Sequence, residues 1–503
     1  MGDRGETAIL FGQQKNLGDT AQTELDRYTR WGTLLKIVGV ATTLGSAVPV
    51  GYNIGVINSP ASYMKDWANI TLHERYNVTL SKNGVDMLWS AIVSIYLIGG
   101  AIGSLGGAWI ADRFGRKGSF LISGVLFFVG AIMFFACRSA SSVEMLMAGR
   151  LIVGLASGLT TTTLPMYLTE LAPLMLRGTL GVFCAIGVTA GVVVGQVFSL
   201  RDIFGTADLW HFALSAYIVL VILCYLPAYY FPESPKYLYI IRGDRDNARL
   251  ELTRLRGNNL PIISKELDDM DTTLNHVVQT KSLWSVIRDP ALLLPLVIVC
   301  AFQGGQQLSG VNAVFYYSVS IFEKAGLSTT DAEWANLGAG CVNLITSLFG
   351  PLLMARVNRR PLMLLSCIAS AVFLFALTFV VHYIEKANWL PIACIACVFG
   401  YIFFYQFGLG PIPYFIGSEL FDVAPRPVAM SLGSLSSWAC NFIIGMMFPT
   451  LQTYWGAFVF MPFSITCVLL FILTKMYLPE TRGRDPTEVA PLISKGFRSR
   501  PVQ

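Results

Sequence analysis

Charged residues are scarce in this sequence. Asp, Glu, Lys and Arg make up 13% of its 503 residues, against about 25% in an average soluble domain, while hydrophobic residues make up 54%. The net charge of +5 is small, and no run of Lys and Arg is long enough to follow a nucleic-acid backbone. We therefore expect lipid to be the solvent of this chain, and we expect no nucleic-acid partner.

Groups that carry enzyme chemistry are also few. The four histidines are scattered in or near loops, and the ten cysteines lie in apolar stretches. We find no nucleophile beside a base, no metal-site spacing and no phosphate-binding loop. The sequence thus predicts a protein that is not an enzyme and needs no cofactor or metal. A cleavable signal peptide is lacking too, because about 30 polar residues come first.

Long apolar stretches, by contrast, recur along the chain. A membrane-spanning helix needs about 20 apolar residues, and twelve segments qualify, which we number spans 1 to 12. They cover residues 35–57, 87–111, 118–137, 145–167, 178–200, 210–231, 289–319, 335–354, 361–383, 389–414, 427–449 and 455–477. The prediction is an all-α membrane protein of twelve transmembrane helices.

A charged insert divides these spans into six plus six. We predict a cytoplasmic N-terminus at 1–34 and a six-helix bundle at 35–232. A cytoplasmic linker of short amphipathic helices follows at 233–288, then a second six-helix bundle at 289–478 and a cytoplasmic tail at 479–503. Lys and Arg are concentrated in the loops after the even-numbered spans, and such loops stay in the cytoplasm. Both termini are therefore expected inside, and the outer loop after span 1 carries two glycosylation sequons, at Asn69 and Asn77.

The two halves repeat one pattern of charges. Basic motifs follow spans 2 and 8, a Glu and an Arg seven residues apart follow spans 4 and 10, and a Pro-Glu pair follows spans 6 and 12. Matched motifs in matched order indicate a duplicated six-helix unit, which is a transporter architecture with its substrate near the midplane.

These charges also predict a gate. Arg and Glu at the cytoplasmic helix ends can pair when that side is closed and must separate when it opens. The alternative is that the charges only fix topology, which explains the arginines but not the glutamates. The proposed salt-bridge gate comprises Arg113, Arg116, Arg150, Glu170, Arg177, Glu233, Arg356, Arg359, Glu419, Arg426 and Glu480.

Span 7 is rich in amides where lipid should exclude them. Gln303, Gln306, Gln307 and Asn312 lie in it, and unpaired amides in hydrocarbon cost several kcal/mol each. Amides both donate and accept hydrogen bonds without carrying charge, which suits the hydroxyls of a sugar. The alternative is that they join helices to one another, but so many on one helix favour a polar cavity.

Several motifs resemble one known family. They include GYNIGVIN at 51–58, DRFGRK at 112–117, PESPK at 232–236, QQLSGVNAVFYY at 306–317, GPIPY at 410–414 and PETRG at 479–483. Together they resemble the sugar porter branch of the major facilitator superfamily, and most of all the animal facilitative glucose transporters. The resemblance implies a two-repeat fold, passive hexose transport by alternating access, a plasma-membrane location and function as a monomer.

The resemblance also implies site residues. The residues that contact a hexose would be Gln306, Gln307, Asn312, Asn343, Trp438 and Asn441. We add Gln303, and Tyr414, which stands where the family usually has Trp. The outer gate would be formed by Tyr316 and Tyr317.

Departures from the family pattern concern both the site and the gate. Cys184 stands where we expect the family's span 5 glutamine, and Gly304-Gly305 resembles the fructose carriers. Ala355 and Asn358 replace a Glu and a Gly of the second basic motif, which predicts a weaker inner gate.

The lack of an acidic residue in span 1 argues against proton coupling. Proton-linked sugar porters carry an acid there, by resemblance, and this span has no Asp or Glu. We therefore predict passive uniport of a hexose, D-glucose in the first place. Fructose or broad hexose uniport, proton–sugar symport and a non-transporting sugar sensor remain as alternatives.

Overall fold

The computed structural model describes residues 32–57, 60–200, 203–257, 259–276, 282–314, 322 and 326–499. Across these residues the regular structure is helical, and ten helices are long and apolar enough to cross a membrane. One of these ten helices, Lys82–Cys137, forms two spans, so the ten helices form eleven spans. The remaining span is formed by two shorter helices, Leu390–Tyr405 and Ile412–Leu420.

The helix bounds follow the predicted spans closely. The first half contains Thr33–Gly55 (span 1), Lys82–Cys137 (spans 2 and 3), Val143–Leu171 (span 4), Leu174–Phe198 (span 5) and Trp210–Tyr230 (span 6). The second half contains Pro290–Val314 (span 7), Trp334–Arg356 (span 8), Arg359–His382 (span 9), Leu390–Tyr405 with Ile412–Leu420 (span 10), Arg426–Trp455 (span 11) and Gly456–Tyr477 (span 12).

Shorter helices lie outside the spans. Ala61–Tyr76, the loop helix, follows span 1, and Pro486–Ile493, the tail helix, follows span 12. The linker contains the helices Arg245–Arg256, Leu260–His276 and Leu283–Arg288. We call the end of the molecule that carries the linker and tail helices the linker end, and the end that carries the loop helix the loop end.

Spans 2 and 3 meet at a sharp break. The run Lys82–Cys137 would be about 84 Å long if straight, against about 30 Å of hydrocarbon. Gly115 interrupts it with φ +80° and ψ −179°, and a Cβ there would lie 2.2 Å from Glu233 Oε2. Both the backbone angle and the contact require glycine, so this residue divides the run into two crossings.

Span 10 is broken within the membrane. The segment predicted at 389–414, whose GLGPIPY stretch at 408–414 resembles the family's broken helix, consists of a first piece that ends at Tyr405 and a second that runs from Ile412 to Leu420. Pro411 and Pro413 have no backbone N–H to continue the ladder of hydrogen bonds. The break leaves backbone carbonyls available to donors from other spans.

Glycines bring neighbouring spans close inside the first half. A Cβ on Gly51 of span 1 would lie 1.8 Å from the Val188 carbonyl oxygen of span 5. A Cβ on Gly99 of span 2 would lie 2.4 Å from the Leu151 carbonyl oxygen of span 4. Small residues permit such backbone contact in membrane helices. Each half also has a large apolar cluster made up mostly of its own residues.

Candidate functional site

A polar cavity of about 110 Å³ lies between the two halves. Spans 1, 4 and 5 line it from the first half, and spans 7, 8, 10 and 11 line it from the second. All eight residues that the sequence predicts for the substrate site line this cavity: Gln303, Gln306, Gln307, Asn312, Asn343, Tyr414, Trp438 and Asn441. The cavity therefore lies between the two repeats, where the repeat architecture predicts that the transported molecule binds.

Other polar residues that the sequence did not single out line the same cavity. Gln196 on span 5 and Gln406 on span 10 add two amides, and Thr161, Thr189, Ser434 and Ser437 add hydroxyls. The rule used for span 7, that an amide inside an apolar span must face a cavity or a partner, would have found both glutamines. The described lining residues include no Asp, Glu, Lys, Arg or His, so the polar groups of the cavity wall are uncharged.

Gln306 connects span 7 to the break in span 10. Its Nε2 donates to the carbonyl oxygens of Leu409, at 3.2 Å, and Gly410, at 2.6 Å. The Leu409 carbonyl would normally accept from the N–H four residues on, but residue 413 is proline. The Gln306 amide supplies the missing donor and fixes the broken span beside the cavity.

Three further amides form a chain across spans 7 and 11. Asn312 Nδ2 donates to Gln307 Oε1 at 2.6 Å and to Asn441 Oδ1 at 2.8 Å. Gln307 Nε2 donates to Ser437 Oγ at 2.9 Å. Because each group orients the next, the chain fixes which donors and acceptors face the cavity.

A group of hydroxyls and one indole joins the halves at the cavity wall. Ser434 Oγ of span 11 lies 2.8 Å from Ser104 Oγ and 2.8 Å from Thr161 Oγ1, both in the first half. Trp438 Nε1 donates to Thr161 Oγ1 at 3.2 Å. A Cβ on Gly100 would lie 2.5 Å from the Trp438 ring, so span 2 leaves room for the indole only because this residue is glycine.

Some cavity amides have unused hydrogen-bonding capacity. Gln303 Nε2 and Gln196 Oε1 are buried and have no hydrogen-bond partner among the described residues. Asn343 and Gln406, in contrast, pair with each other, since Gln406 Nε2 donates to Asn343 Oδ1. An unpaired buried amide is costly, so the two unpartnered atoms are sites at which a ligand hydroxyl would be stabilised.

The expectation for Cys184 is corrected by the structure. Cys184 is fully buried in an apolar cluster, and the span 5 residue that faces the cavity at this turn is Ala185. Adjacent residues on a helix point about 100° apart, so a shift of one position moved the assignment off the cavity. The predicted outer-gate residues Tyr316 and Tyr317 lie outside the described residues.

At the linker end of the first half, Glu170 accepts hydrogen bonds from several donors. Arg116 donates to Glu170 from Nε at 2.9 Å and from Nη2 at 3.1 Å, and Ser234 Oγ donates to it at 2.5 Å. Glu233 accepts the backbone N–H groups of Arg116 and Lys117 at 2.9 and 3.1 Å. Each of the two carboxylates thereby accepts several hydrogen bonds.

The second half repeats this arrangement. Arg359 Nη2 donates to Glu419 at 3.1 Å, and Thr481 Oγ1 donates to Glu419 at 2.5 Å. Glu480 accepts the backbone N–H groups of Arg359 and Arg360 at 2.9 and 3.2 Å. The charge repeat in the sequence therefore corresponds to a repeated hydrogen-bond network in space.

The networks of the two halves meet at the linker end. Arg426 of the second half donates to Glu170 of the first from Nη1 at 2.9 Å. Gly178 of the first half contacts Arg359, since a Cβ there would lie 1.9 Å from Arg359 Nη2. In the described residues the linker end is thus held closed by buried charged groups from both halves.

Three predicted gate residues do not take part in these networks. Arg150 lies twenty residues before Glu170 in one helix, about 30 Å along its axis. It donates instead to the Asn53 carbonyl at 2.9 Å and lies over the Tyr96 ring, so its inclusion in the gate is wrong. Arg113 and Arg356 are exposed and form no ion pair with a described residue.

The two sequons occupy different environments. Asn69 lies in the middle of the loop helix with its Oδ1 buried, and Thr71 is buried as well. Asn77 is exposed just after that helix, in a left-handed conformation with φ +56°, and Thr79 is exposed too. Only the second sequon is open to a modifying enzyme in the folded loop.

Comparison with known proteins identifies the family. The family model described as "Sugar (and other) transporter" matches residues 38–492, which is most of the chain. The chain belongs to the sugar transporter family. The transporter is 38% identical to solute carrier family 2, facilitated glucose transporter member 1 of Gallus gallus over 93% of its length and 94% of the relative's. It is 38% identical to member 3 of Ovis aries over 91% and 92% of the two chains.

Solved structures show the same fold for this transporter. The proton:xylose symporter XylE bound to 6-bromo-6-deoxy-D-glucose has a TM-score of 0.80 at 23% identity, over 92% of this chain and 100% of the other. XylE from E. coli in an inward open conformation has a TM-score of 0.66 at 21% identity, over 91% and 99%. The predicted family resemblance and the twelve-span major facilitator fold are confirmed, and the transporter is not an enzyme.

Proposed function

We propose that this transporter carries hexoses passively across the plasma membrane, D-glucose above all, by alternating access of one cavity to the two sides. The observation that carries the proposal is the chemistry of the cavity between the halves. Its lining combines amides, hydroxyls and the rings of Tyr414 and Trp438 without any charged side chain. A hexose offers hydroxyls that both donate and accept, and apolar ring faces that suit aromatic side chains.

The unpartnered amide atoms support a ligand rich in hydroxyls. Gln303 Nε2 is a donor and Gln196 Oε1 is an acceptor, and they lie on spans 7 and 5, one in each half. A hydroxyl can satisfy either atom. A ligand that uses both would contact the two halves at once, as alternating access requires.

Passive transport is supported by the lack of acids and histidines among the described residues that line the cavity. A proton relay needs a group that gains and loses a proton within the membrane, and the lining residues include no acid or histidine. The curated relatives are named facilitated glucose transporters. Symport is the second candidate, because the structural relative XylE is named a proton:xylose symporter.

The glycines that resemble the fructose carriers lie away from the cavity. A Cβ on Gly304 would meet Ser436 Oγ of span 11 at 2.5 Å, and a Cβ on Gly305 would meet Leu470 of span 12 at 2.7 Å. These positions pack span 7 against its neighbours and do not line the cavity. They therefore give little reason to prefer fructose over glucose.

The orientation and the gates are part of the same proposal. We place the linker end, the linker and both termini in the cytoplasm, and we assign the inner gate to Arg116, Glu170, Glu233, Arg359, Glu419, Arg426 and Glu480, with Arg177 discussed below. The outer gate is proposed at Tyr316 and Tyr317. The transporter is proposed to work as a monomer in the lipid bilayer.

Uptake into proteoliposomes tests the function. We expect radiolabelled D-glucose to enter saturably, unlabelled D-glucose to compete, and L-glucose, which has the same composition but the opposite chirality, not to compete. Labelled D-fructose, measured in parallel, decides between glucose and fructose preference. Equal and non-saturable entry of D- and L-glucose would refute the carrier proposal.

A further inference from the structure

The inner gate departs from its own repeat at Arg177. Its counterpart Arg426 donates to Glu170 of the opposite half, so the repeat predicts that Arg177 pairs with Glu419. Arg177 Nη1 instead donates to Asp485 Oδ2, at 3.1 Å, and Asp485 lies in the tail after span 12. The acidic partner of this arginine thus comes from a segment outside the repeated spans.

Lys236 joins this pair from the start of the linker. Its Nζ lies 3.6 Å from Asp485 Oδ2, and the side chains of Arg177, Lys236 and Asp485 are only 15%, 17% and 29% exposed. Burial alone would raise the pKa of the Asp485 carboxyl, but the Lys236 and Arg177 cations outweigh it and hold that pKa below its ordinary value. Asp485 therefore carries its charge at neutral pH.

The three residues are fixed to different parts of the molecule. Asp485 directly precedes the tail helix, whose Val489 and Ile493 are fully buried in the apolar cluster of the second half. Lys236 precedes Tyr237, whose hydroxyl donates to the Asp112 carbonyl of the first half at 3.1 Å. Arg177 lies at the start of span 5, also in the first half. The ion cluster therefore joins one half to the other.

We propose that Asp485 is an inner-gate residue, through which the tail of the second half holds Arg177 and Lys236 of the first half while the linker end is closed. The inference rests on the proposed alternating access, because opening the linker end must separate these groups. Asp485 acts through the cations and does not contact the transported molecule, so it is a positioning residue.

Amide hydrogen exchange on the full-length, detergent-solubilised protein without sugar tests the proposal. Asp485→Asn keeps the shape and removes the charge, and we expect segments 170–178 and 485–493 to exchange about two- to fivefold faster, as for loss of a partly screened ion pair. Asp485→Glu, which keeps the charge, should restore slow exchange. Unchanged exchange in Asp485→Asn would overturn the proposal.

A matched control and a double variant separate the ion cluster from local disturbance. Glu488 lies in the first turn of the same tail helix and is exposed, so Glu488→Gln removes an equal charge and should leave exchange unchanged. In an Arg177→Gln background, Asp485→Asn should add less than it does alone, because only the Lys236 contact then remains to be lost. A full additional effect there would show that Asp485 acts independently of Arg177.

Transport kinetics supply the functional readout. In proteoliposomes with the linker end facing the lumen, Asp485→Asn is expected to change the ratio of half-saturation for influx and efflux while D-glucose remains a substrate. A change in maximal rate alone would contradict a gate role. Since the exchange experiment needs no sugar, its failure leaves the hexose proposal standing, and failure of sugar uptake leaves the exchange result interpretable.

Discussion

Gln306 illustrates how one side chain can serve both the fold and the ligand. Its amide nitrogen is occupied by the carbonyls of Leu409 and Gly410 at the break in span 10, while its oxygen lies near Gln307 at the cavity wall. The amide therefore fixes the broken span and contributes an acceptor to the cavity. Because the break abuts the cavity, the two roles are physically connected.

Replacement of Gln306 by alanine should weaken sugar binding. Gln306→Ala removes a cavity amide and leaves the Leu409 and Gly410 carbonyls without their donor. We expect the half-saturation for D-glucose uptake to rise at least tenfold, which corresponds to about 1.4 kcal/mol for a lost buried hydrogen bond. Initial uptake rates over a range of glucose concentrations measure this change.

Ser366 provides the control for the structural role. Its Oγ accepts from the Leu409 N–H at 2.9 Å and donates to the Tyr405 carbonyl, so it supports the same break from span 9 without lining the cavity. Ser366→Ala should lower the maximal rate more than it changes the half-saturation. If both variants raised the half-saturation equally, the cavity role of Gln306 would be lost.

At the scale of helices, the sequence predicts where elements lie better than where side chains point. Length and apolarity predict all twelve spans, and the charge repeat predicts the networks around Glu170 and Glu419 at the linker end. The eight predicted cavity residues also converge. These predictions rest on features that an error of one or two residues does not change, such as a long apolar segment or the presence of an amide side chain within such a segment.

The predictions that are wrong are those that depend on the position of a single residue. Assigning the cavity position of span 5 to Cys184 in place of Ala185 rotates the side chain by about 100°. Arg150 is a predicted gate residue, although its helix places it about 30 Å from Glu170. The tail partner Asp485 could not be predicted either, because it lies outside the repeat that located the other gate residues.

The loop helix predicts which sequon carries a glycan. It buries Thr71 and the Oδ1 of Asn69, whereas Asn77 and Thr79 are exposed beyond its end. N-glycans occupy surface loops, so Asn77→Gln expressed in animal cells should abolish the mobility shift that a glycosidase produces. Asn69→Gln, the matched variant, should retain it, and loss of the shift in Asn69→Gln alone would contradict the assignment.

Taken as a whole, the molecule separates its charges from its cavity. The buried Arg426–Glu170 pair and the partly exposed Arg177–Asp485 pair join the halves at the linker end, while the described residues that line the cavity between them are uncharged. Removing one partner from a buried pair costs about 3–5 kcal/mol, so the pairs can set the balance between open and closed states. The neutral cavity can then bind a neutral ligand without changing that charge balance.

This uncharged cavity is proposed to serve passive hexose transport. The most direct test measures the steady-state ratio of internal to external labelled D-glucose in proteoliposomes, with and without an imposed inward proton gradient. Passive transport predicts a ratio of about one under both conditions, since the described residues that line the cavity include no acid or histidine to couple a proton to the sugar. Accumulation of glucose above the external concentration when the proton gradient is imposed would contradict the account.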